Sequence, residues 1–256
     1  MAGAPALRAW ALPGLPEIRE GDDLAALLAE GAARAGEPLR EGDVLVLAHK
    51  AVSKSEGAVR RLEEIEPGSR ARALAAEHDK DARAVQAVLD ESREVLRAER
   101  GVLICETRHG LVCANAGVDA SNAAREGEVI LLPRDPDGSA RGLRTRIREL
   151  AGAAPAVLIT DSFGRAWRHG QCDVAIGCAG LRPLEDWRGR PDAAGLELRA
   201  TWIAVADEIA AAADLVRAKD SGEPAVVIRG LDRHVAPEDG PGAAALRRPR
   251  GEDLFR

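Results

Sequence analysis

Tyrosine is absent from this 256-residue chain, and only two phenylalanines and four tryptophans are present. A core must therefore be built from alanine, valine, leucine and isoleucine, and the stacked aromatic platforms of single-strand nucleic-acid binders have little to be made from. An excess of positive charge is missing as well. With 36 Lys and Arg against 42 Asp and Glu, the formal charge is −6, which argues against a general nucleic-acid partner, because such a protein must displace counterions with a basic surface. No apolar run approaches the roughly 20 residues that span a bilayer, and Met1 to Pro5 lacks the basic-then-apolar order of a signal peptide. A cytoplasmic protein with no membrane partner is expected. Cys105, Cys113, Cys172 and Cys178 include no C-x-x-C pair, so buried free thiols are expected rather than a zinc site or disulfides. Neither G-x-x-x-x-G-K-[ST] nor a helix-opening G-x-G-x-x-G occurs, which removes the main support for a P-loop or a dinucleotide fold. No fixed-period repeat is found.

What is present is ample for a core: 46% of residues are apolar. Residues 1–234 read as a single domain with a helical insertion at about 67–98, followed by a mobile tail at 235–256 rich in Pro, Gly and Arg. Helical spacing after an Asp cap predicts a helix over Asp22 to Ala35, ended by Gly36. Helices are also expected at Pro136 to Leu150 and Ala206 to Ala218. Strands are expected at Asp43 to Ala48, Gly101 to Glu106, Gly110 to Asn115, Glu128 to Leu132, Ala156 to Thr160, Leu198 to Val205 and Ala225 to Arg229. Because strands come both in a hairpin and between helices, the expected class is α+β, with mixed, largely antiparallel sheets.

Three constellations carry chemistry. In I-T-D-S-F-G-R-A-W-R-H-G-Q-C-D-V-A-I-G (Ile159 to Gly177), an apolar strand runs into Asp161 and Ser162, oxygen ligands for a hard cation, and then into Arg165 and Arg168, forks suited to phosphate or carboxylate. Read alone, the same residues also make a charged loop with surface ion pairs. Asn115 to Asn122 (N-A-G-V-D-A-S-N) follows a strand; Asp119 is a second candidate cation ligand and Asn122 a donor to phosphate or base, although a plain Asx turn has the same composition. His49-Lys50-Ala-Val-Ser53-Lys54-Ser55-Glu56-Gly57 offers two lysines and two hydroxyls to a polyphosphate, or equally a solvated strand end. Arg217 to Pro224 reads by itself as the cationic close of a helix. Asp173 and His169 are candidates for a general base.

The blocks Gly14 to Leu24 (G-L-P-E-I-R-E-G-D-D-L), Lys50 to Gly57 (K-A-V-S-K-S-E-G), Cys105 to Asn122, Thr160 to Gln171 and Val205 to Val216 stand in the order seen in one family. Across nearly its whole length the chain resembles the F420:γ-glutamyl ligase family, the coenzyme F420-0:L-glutamate ligases. The resemblance implies an intertwined α+β homodimer that adds L-glutamate to coenzyme F420-0, and in many members to F420-1, at the cost of GTP. Two Mg²⁺ or Mn²⁺ ions, and a role for K⁺, go with it. By matching motif, Asp119 and Asp161 would hold one divalent cation and Ser162 the other. Leu15, Pro16, Glu17, Ile18, His49, Lys50, Lys54 and Asn122 would line the GTP site, closed over by Arg217 and Lys219. Lys54, Arg165 and Arg168 would hold phosphates and the anionic substrate. The chain departs from the family pattern at Ser162, where Thr is common, at His49, where a small or amide residue is usual, and at Arg217-Ala218-Lys219; a protonated Lys219 cannot ligate a metal. A nucleotide- and metal-binding homologue without catalysis, or a ligase for a different carboxylate, are the competing readings.

Overall fold

Val44–Ala48 (V-L-V-L-A) and Ala225–Arg229 (A-V-V-I-R) are apolar at nearly every position because both faces of the sheet they join are covered. The computed structural model describes residues 6–253. In chain order the first elements are β1 (Arg8–Ala11), α1 (Leu24–Arg34), β2 (Val44–Ala48), α2 (His49–Ser55), β3 (Val59–Arg61), α3 (Ser69–His78), α4 (Ala82–Glu91), β4 (Ser92–Glu99), β5 (Val102–Thr107) and β6 (Val112–Ala114). There follow β7 (Glu128–Ile130), α5 (Pro136–Ala151), β8 (Ala156–Arg165), β9 (Arg168–Ala179), β10 (Glu185–Asp186), β11 (Trp202–Ile203), α6 (Val205–Asp214) and β12 (Ala225–Arg229).

The central sheet has the order β1-β12-β2-β8-β9. Its neighbours are antiparallel except β2 and β8, which run parallel with Ala48 beside Thr160. Residues of α1, α2 and α5, among them Leu28, Val52 and Ile147, pack on the face that carries Leu45, Leu47, Val157 and Ile159. The other face, with Val44, Val46, Ala156 and Leu158, is covered by Val205, Ile209 and Ala213 of α6 and by Ala243. α3 and α4 form a separate cluster with Leu103 and Cys105 of the three-stranded sheet β4-β5-β6. The molecule is thus α+β with mixed and antiparallel sheets. Among the described residues no helix is long and apolar enough to cross a membrane.

Several boundaries differ from those expected. The helical region ends at Glu91, and Ser92–Glu99 is a strand paired with β5 through two register shifts. Its Glu, Arg, Leu and Ala favour helix locally, but the open edge of β5 offers a ladder, and pairing overrides propensity. Of Leu198 to Val205 only Trp202–Ile203 is a strand, because its sole partner is the two-residue Glu185–Asp186. α6 stops at Asp214 and leaves 215–224 as a connecting segment. The segment from Val235, expected to be mobile, is packed on the fold as far as Ala243, whereas residues 247–252 are exposed. Leu181 bridges to Val235, Ala236 and Ala243 are buried, and the Ala243 N–H donates to Asp137 Oδ1 at 2.7 Å. Arg144, buried on α5, donates to the carbonyls of Ala236 and Pro237 and to Asp239 Oδ1 (3.0, 3.1 and 2.7 Å). Residues 254–256 of the expected tail lie outside the described residues.

Candidate active site

The strand that begins at Ala156 does not stop at Thr160. It continues to Arg165 because β9 pairs with it there, Asp161 opposite Val174 and Ser162 opposite Asp173, which extends the ladder past the apolar run in spite of two register shifts. Alternation along β8 then separates two neighbours expected to share an edge. Asp161 follows Ile159 to the face of α2, and Ser162 follows Thr160 to the face of α6.

On the α2 face, the parallel register of Ala48 with Thr160 brings the next residues, His49 and Asp161, side by side. His49 is 2% exposed; its Nδ1 stands 3.3 Å from Ser53 Oγ and its Nε2 3.3 Å from Asp161 Oδ1. The second approach is not aligned as a hydrogen bond, and Nε2 is a buried nitrogen without a hydrogen-bond partner. One residue on, Lys50 Nζ lies 2.6 Å from Asp119 Oδ2 and donates to Ser121 Oγ. Asp119 is presented there by backbone pairing with Ile130, itself in β7 against β3. Burial acts to raise the Asp119 carboxyl, but the hydrogen bonds from Lys50 and from the Ser121 N–H outweigh it and hold the group below its ordinary range. Distant Asp119 and Asp161 thus contact consecutive residues of one helix. Beside Asp119 opens a cavity of about 280 Å³ with walls of Val85, Val88, Leu103 and Val118, and with Lys80 and Asn115 as polar members.

Lys54, on the last turn of α2, is paired with Glu17 at 2.5 Å, which ties the Leu15 to Ile18 segment to the helix. Ile18 is buried in the core, Leu15 is partly buried against it, and Pro16 and Glu17 are exposed. Asn122 is exposed in the loop beyond Ser121, with φ 58°.

On the α6 face, Asp173 is 1% exposed and stands at the centre of a polar cluster. Ser162 Oγ donates to its Oδ1 at 2.6 Å, Thr160 Oγ1 donates to its Oδ2 at 2.7 Å, the Arg217 guanidinium donates to Oδ2, and Lys219 Nζ lies 3.6 Å from Oδ1. Burial would raise this carboxyl; the Ser162 hydroxyl and the Arg217 charge, with Thr160 and Lys219, hold it below its usual value. This carboxylate is enclosed, with both oxygens already accepting from side chains of its own chain. Sequence reasoning undervalued it, although a lone carboxylate inside the apolar run C-D-V-A-I-G was the available signal. Arg217 is turned inward, with bonds to Thr160 Oγ1 and the Pro224 carbonyl, and so anchors the 215–224 segment. Lys219 Nζ donates to Ser162 Oγ at 2.6 Å and to Asp214 at 3.0 Å.

These contacts test the two expected cations. Ser162 already gives its proton to Asp173 and accepts from an ammonium group, and the positive charge it faces comes from Lys219 and Arg217. That donor set does not fit a second divalent ion. Among the described residues no group of three or more His, Cys, Asp and Glu side chains is arranged to hold a metal. On the α2 face the fit is better, because the Asp161 carboxylate and the orphaned His49 Nε2 converge, with Asp119 next along the helix.

Arg165 and Arg168 lie elsewhere. They flank the Ala166-Trp167 turn at the tip of the β8–β9 hairpin, where Trp167 is 84% exposed. Four residues of strand, about 13 Å, separate Arg165 from Asp161. Arg165 donates to the His169 carbonyl, and Arg168 and His169 are exposed. The structure does not bring either arginine to Lys54 within the chain.

Residues 14–230 match the sequence profile of the family described as F420-0:Gamma-glutamyl ligase. The chain is similar to the coenzyme F420:L-glutamate ligase of Methanopyrus kandleri, with 48% identity over 258 residues and 100% of each chain covered. It is likewise similar to proteins of the same name from Methanothermobacter thermautotrophicus (46% over 244 residues, 95% of this chain and 96% of the relative) and Archaeoglobus fulgidus (49% over 220 residues, 86% of each).

Proposed function

Because the chain belongs to the F420-0:gamma-glutamyl ligase family, we propose that it is a GTP-dependent ligase joining L-glutamate to coenzyme F420-0 through an amide bond. The observation that carries this reading is that two distant carboxylates, Asp161 and Asp119, contact the consecutive residues His49 and Lys50 at the start of α2. That arrangement places acidic oxygen donors beside ammonium groups, which is what a cation-bound polyphosphate needs.

A carboxylate is a poor acyl donor at neutral pH. Transfer of the GTP γ-phosphoryl group to the substrate carboxylate breaks the β–γ phosphoanhydride bond, releases GDP and leaves an acyl phosphate. The glutamate amine attacks its carbonyl carbon, loses a proton and expels inorganic phosphate as the amide forms. Asp161 and Asp119 would hold a divalent cation, which would supply positive charge to the phosphates. Lys50, paired with Asp119, and Lys54, tethered by Glu17, put two positive charges on the same helix that would face phosphate oxygens. The buried Asp173 cluster keeps the 215–224 segment against the α6 face of β8, with Lys219 on Ser162. Arg165 and Arg168 fit this scheme through the homodimer: the hairpin tip, too far from its own Asp161, reaches the anionic substrate of a second copy.

Incubation with GTP, Mn²⁺, F420-0 and L-glutamate tests the reading. GDP is expected only when acceptor and amino acid are both present, and Asp161→Asn is expected to abolish GDP release with an unchanged circular dichroism spectrum. Full activity in that variant refutes the role of Asp161. Lys219 on Ser162 and the His at position 49 favour the second reading, a binding protein without turnover; stoichiometric GTP binding with no GDP under any combination would establish it.

A further inference from the structure

We propose that His49 is a direct nitrogen ligand of the divalent cation held at Asp161, and so sets the metal preference of this chain. The inference rests on the reading that Asp161 binds a cation. It begins from an imbalance: His49 is almost wholly enclosed, and its Nε2 has no hydrogen-bond partner although a carboxylate oxygen stands 3.3 Å away. A buried polar atom left unpaired is costly and requires an explanation. The other ring nitrogen, Nδ1, faces Ser53 Oγ. An Nδ1–H donated to that hydroxyl leaves the Nε2 lone pair directed at the Asp161 side, the arrangement by which metal-ligating histidines are oriented.

The spacing fits a shared ion. Adjacent ligands of an octahedral cation with bonds of about 2.1 Å stand roughly 3 Å apart, and Nε2 and Oδ1 stand 3.3 Å apart. Their juxtaposition is set by the main chain, since Ala48 and Thr160 are register partners in parallel strands and His49 and Asp161 are the next residues. His49 and Asp161 are then two protein ligands, the rest of the shell falling to phosphate oxygens and water, while Asp119 is paired with Lys50, the neighbour of His49 on α2. The chemistry follows from the ligand type: oxygen-only sites suit Mg²⁺, whereas an imidazole nitrogen favours first-row transition ions, in the order Mn²⁺ below Fe²⁺ below Co²⁺. The expected preference is Mn²⁺ or Co²⁺ over Mg²⁺.

The test is pulsed electron paramagnetic resonance of Mn²⁺ bound to the full chain with GDP present, using protein of natural abundance and protein labelled with ¹⁵N-histidine. Nitrogen modulation that changes isotope pattern with the label is expected, since guanine nitrogens are not altered by it. In His49→Asn the histidine coupling should vanish, with Mn²⁺ affinity lower by about tenfold or more and Mg²⁺ affinity changed less. Bound Mn²⁺ without histidine coupling in the unaltered protein, which requires no variant to fold, overturns the role of His49. If Mn²⁺ affinity is also lost in Asp161→Asn, the cation reading survives that result. Mn²⁺ binding unchanged in both variants overturns the two together.

Discussion

Asp173 shows how one buried carboxylate can gather polar side chains around itself. Two hydroxyls of β8 and the guanidinium and ammonium of Arg217 and Lys219 converge on it, which joins the 215–224 segment to the β8–β9 pair. The four cysteines are the other residue-scale result. All are free thiols; Cys105, Cys113 and Cys178 are buried, and burial pushes Cys113 and Cys178 up to about 12, with nearby Asp161 and Asp137 adding to the effect. Only thiolates react with disulfide reagents. In the native protein Cys172 alone is expected to react with a thiol-specific chromogenic reagent, and all four after unfolding; more than one fast thiol would contradict the burial. The sign of the pH effect follows. Unfolded thiols ionise near their ordinary 9.0 while the folded ones keep their protons to about 12, so stability is expected to fall as pH rises above about 9. Urea midpoints measured at about pH 7 and about pH 10 check this, the lower being expected at the higher pH.

At the scale of elements, the β8–β9 hairpin determines which groups can cooperate. Alternation on β8 sends Asp161 to α2 and Ser162 to α6, and the length of the arm carries Arg165 and Arg168 away from both. Its packing on α5 leaves no room at Gly177, where a Cβ would lie 2.4 Å from the carbonyl carbon and oxygen of Pro136. Because backbone rather than a flexible side chain is in the way, Gly177→Ala is expected to cost about 1–3 kcal/mol of stability. Denaturant unfolding measures it, and a loss below about 0.5 kcal/mol would show that α5 can shift freely. Helix α1 with its Asp23 cap, and α5 opened by Asp135 and Pro136, were legible in the sequence because capping and periodicity are local signals. Strand β4 was not, since nothing within Ser92–Glu99 announces the partner that extends it.

For the whole molecule, the segment after Val235 closes the fold rather than trailing from it. Arg144 depends on that segment for its contacts with Ala236, Pro237 and Asp239, and the Gly180 N–H donates to the Asp239 carbonyl. Removing residues 236–256 would leave a buried guanidinium without these acceptors, for which roughly 3–5 kcal/mol is expected. Thermal unfolding of the truncated chain should show a marked drop in Tm or loss of soluble protein, and an unchanged Tm would mean that the packed tail adds nothing. The Pro, Gly and Arg composition that suggested mobility describes local stiffness and solvation. It carries no information about a buried donor, Arg144, some ninety residues earlier in the chain.

From the order of residues alone came the α+β class, the family, the free thiols and the identity of the polar groups near positions 49–54, 119–122 and 160–173, because each depends on composition, local periodicity or motif. Tertiary structure decided which of those groups meet. The parallel register of β2 with β8 set His49 against Asp161, and the bridge of Asp119 to Ile130 set it against Lys50. The two-residue period of a strand divided Asp161 from Ser162, and the continuation of β9 removed Arg165 and Arg168 to the tip. Side-chain chemistry is written residue by residue, whereas distance between residues far apart in sequence is fixed only when strands choose partners and register.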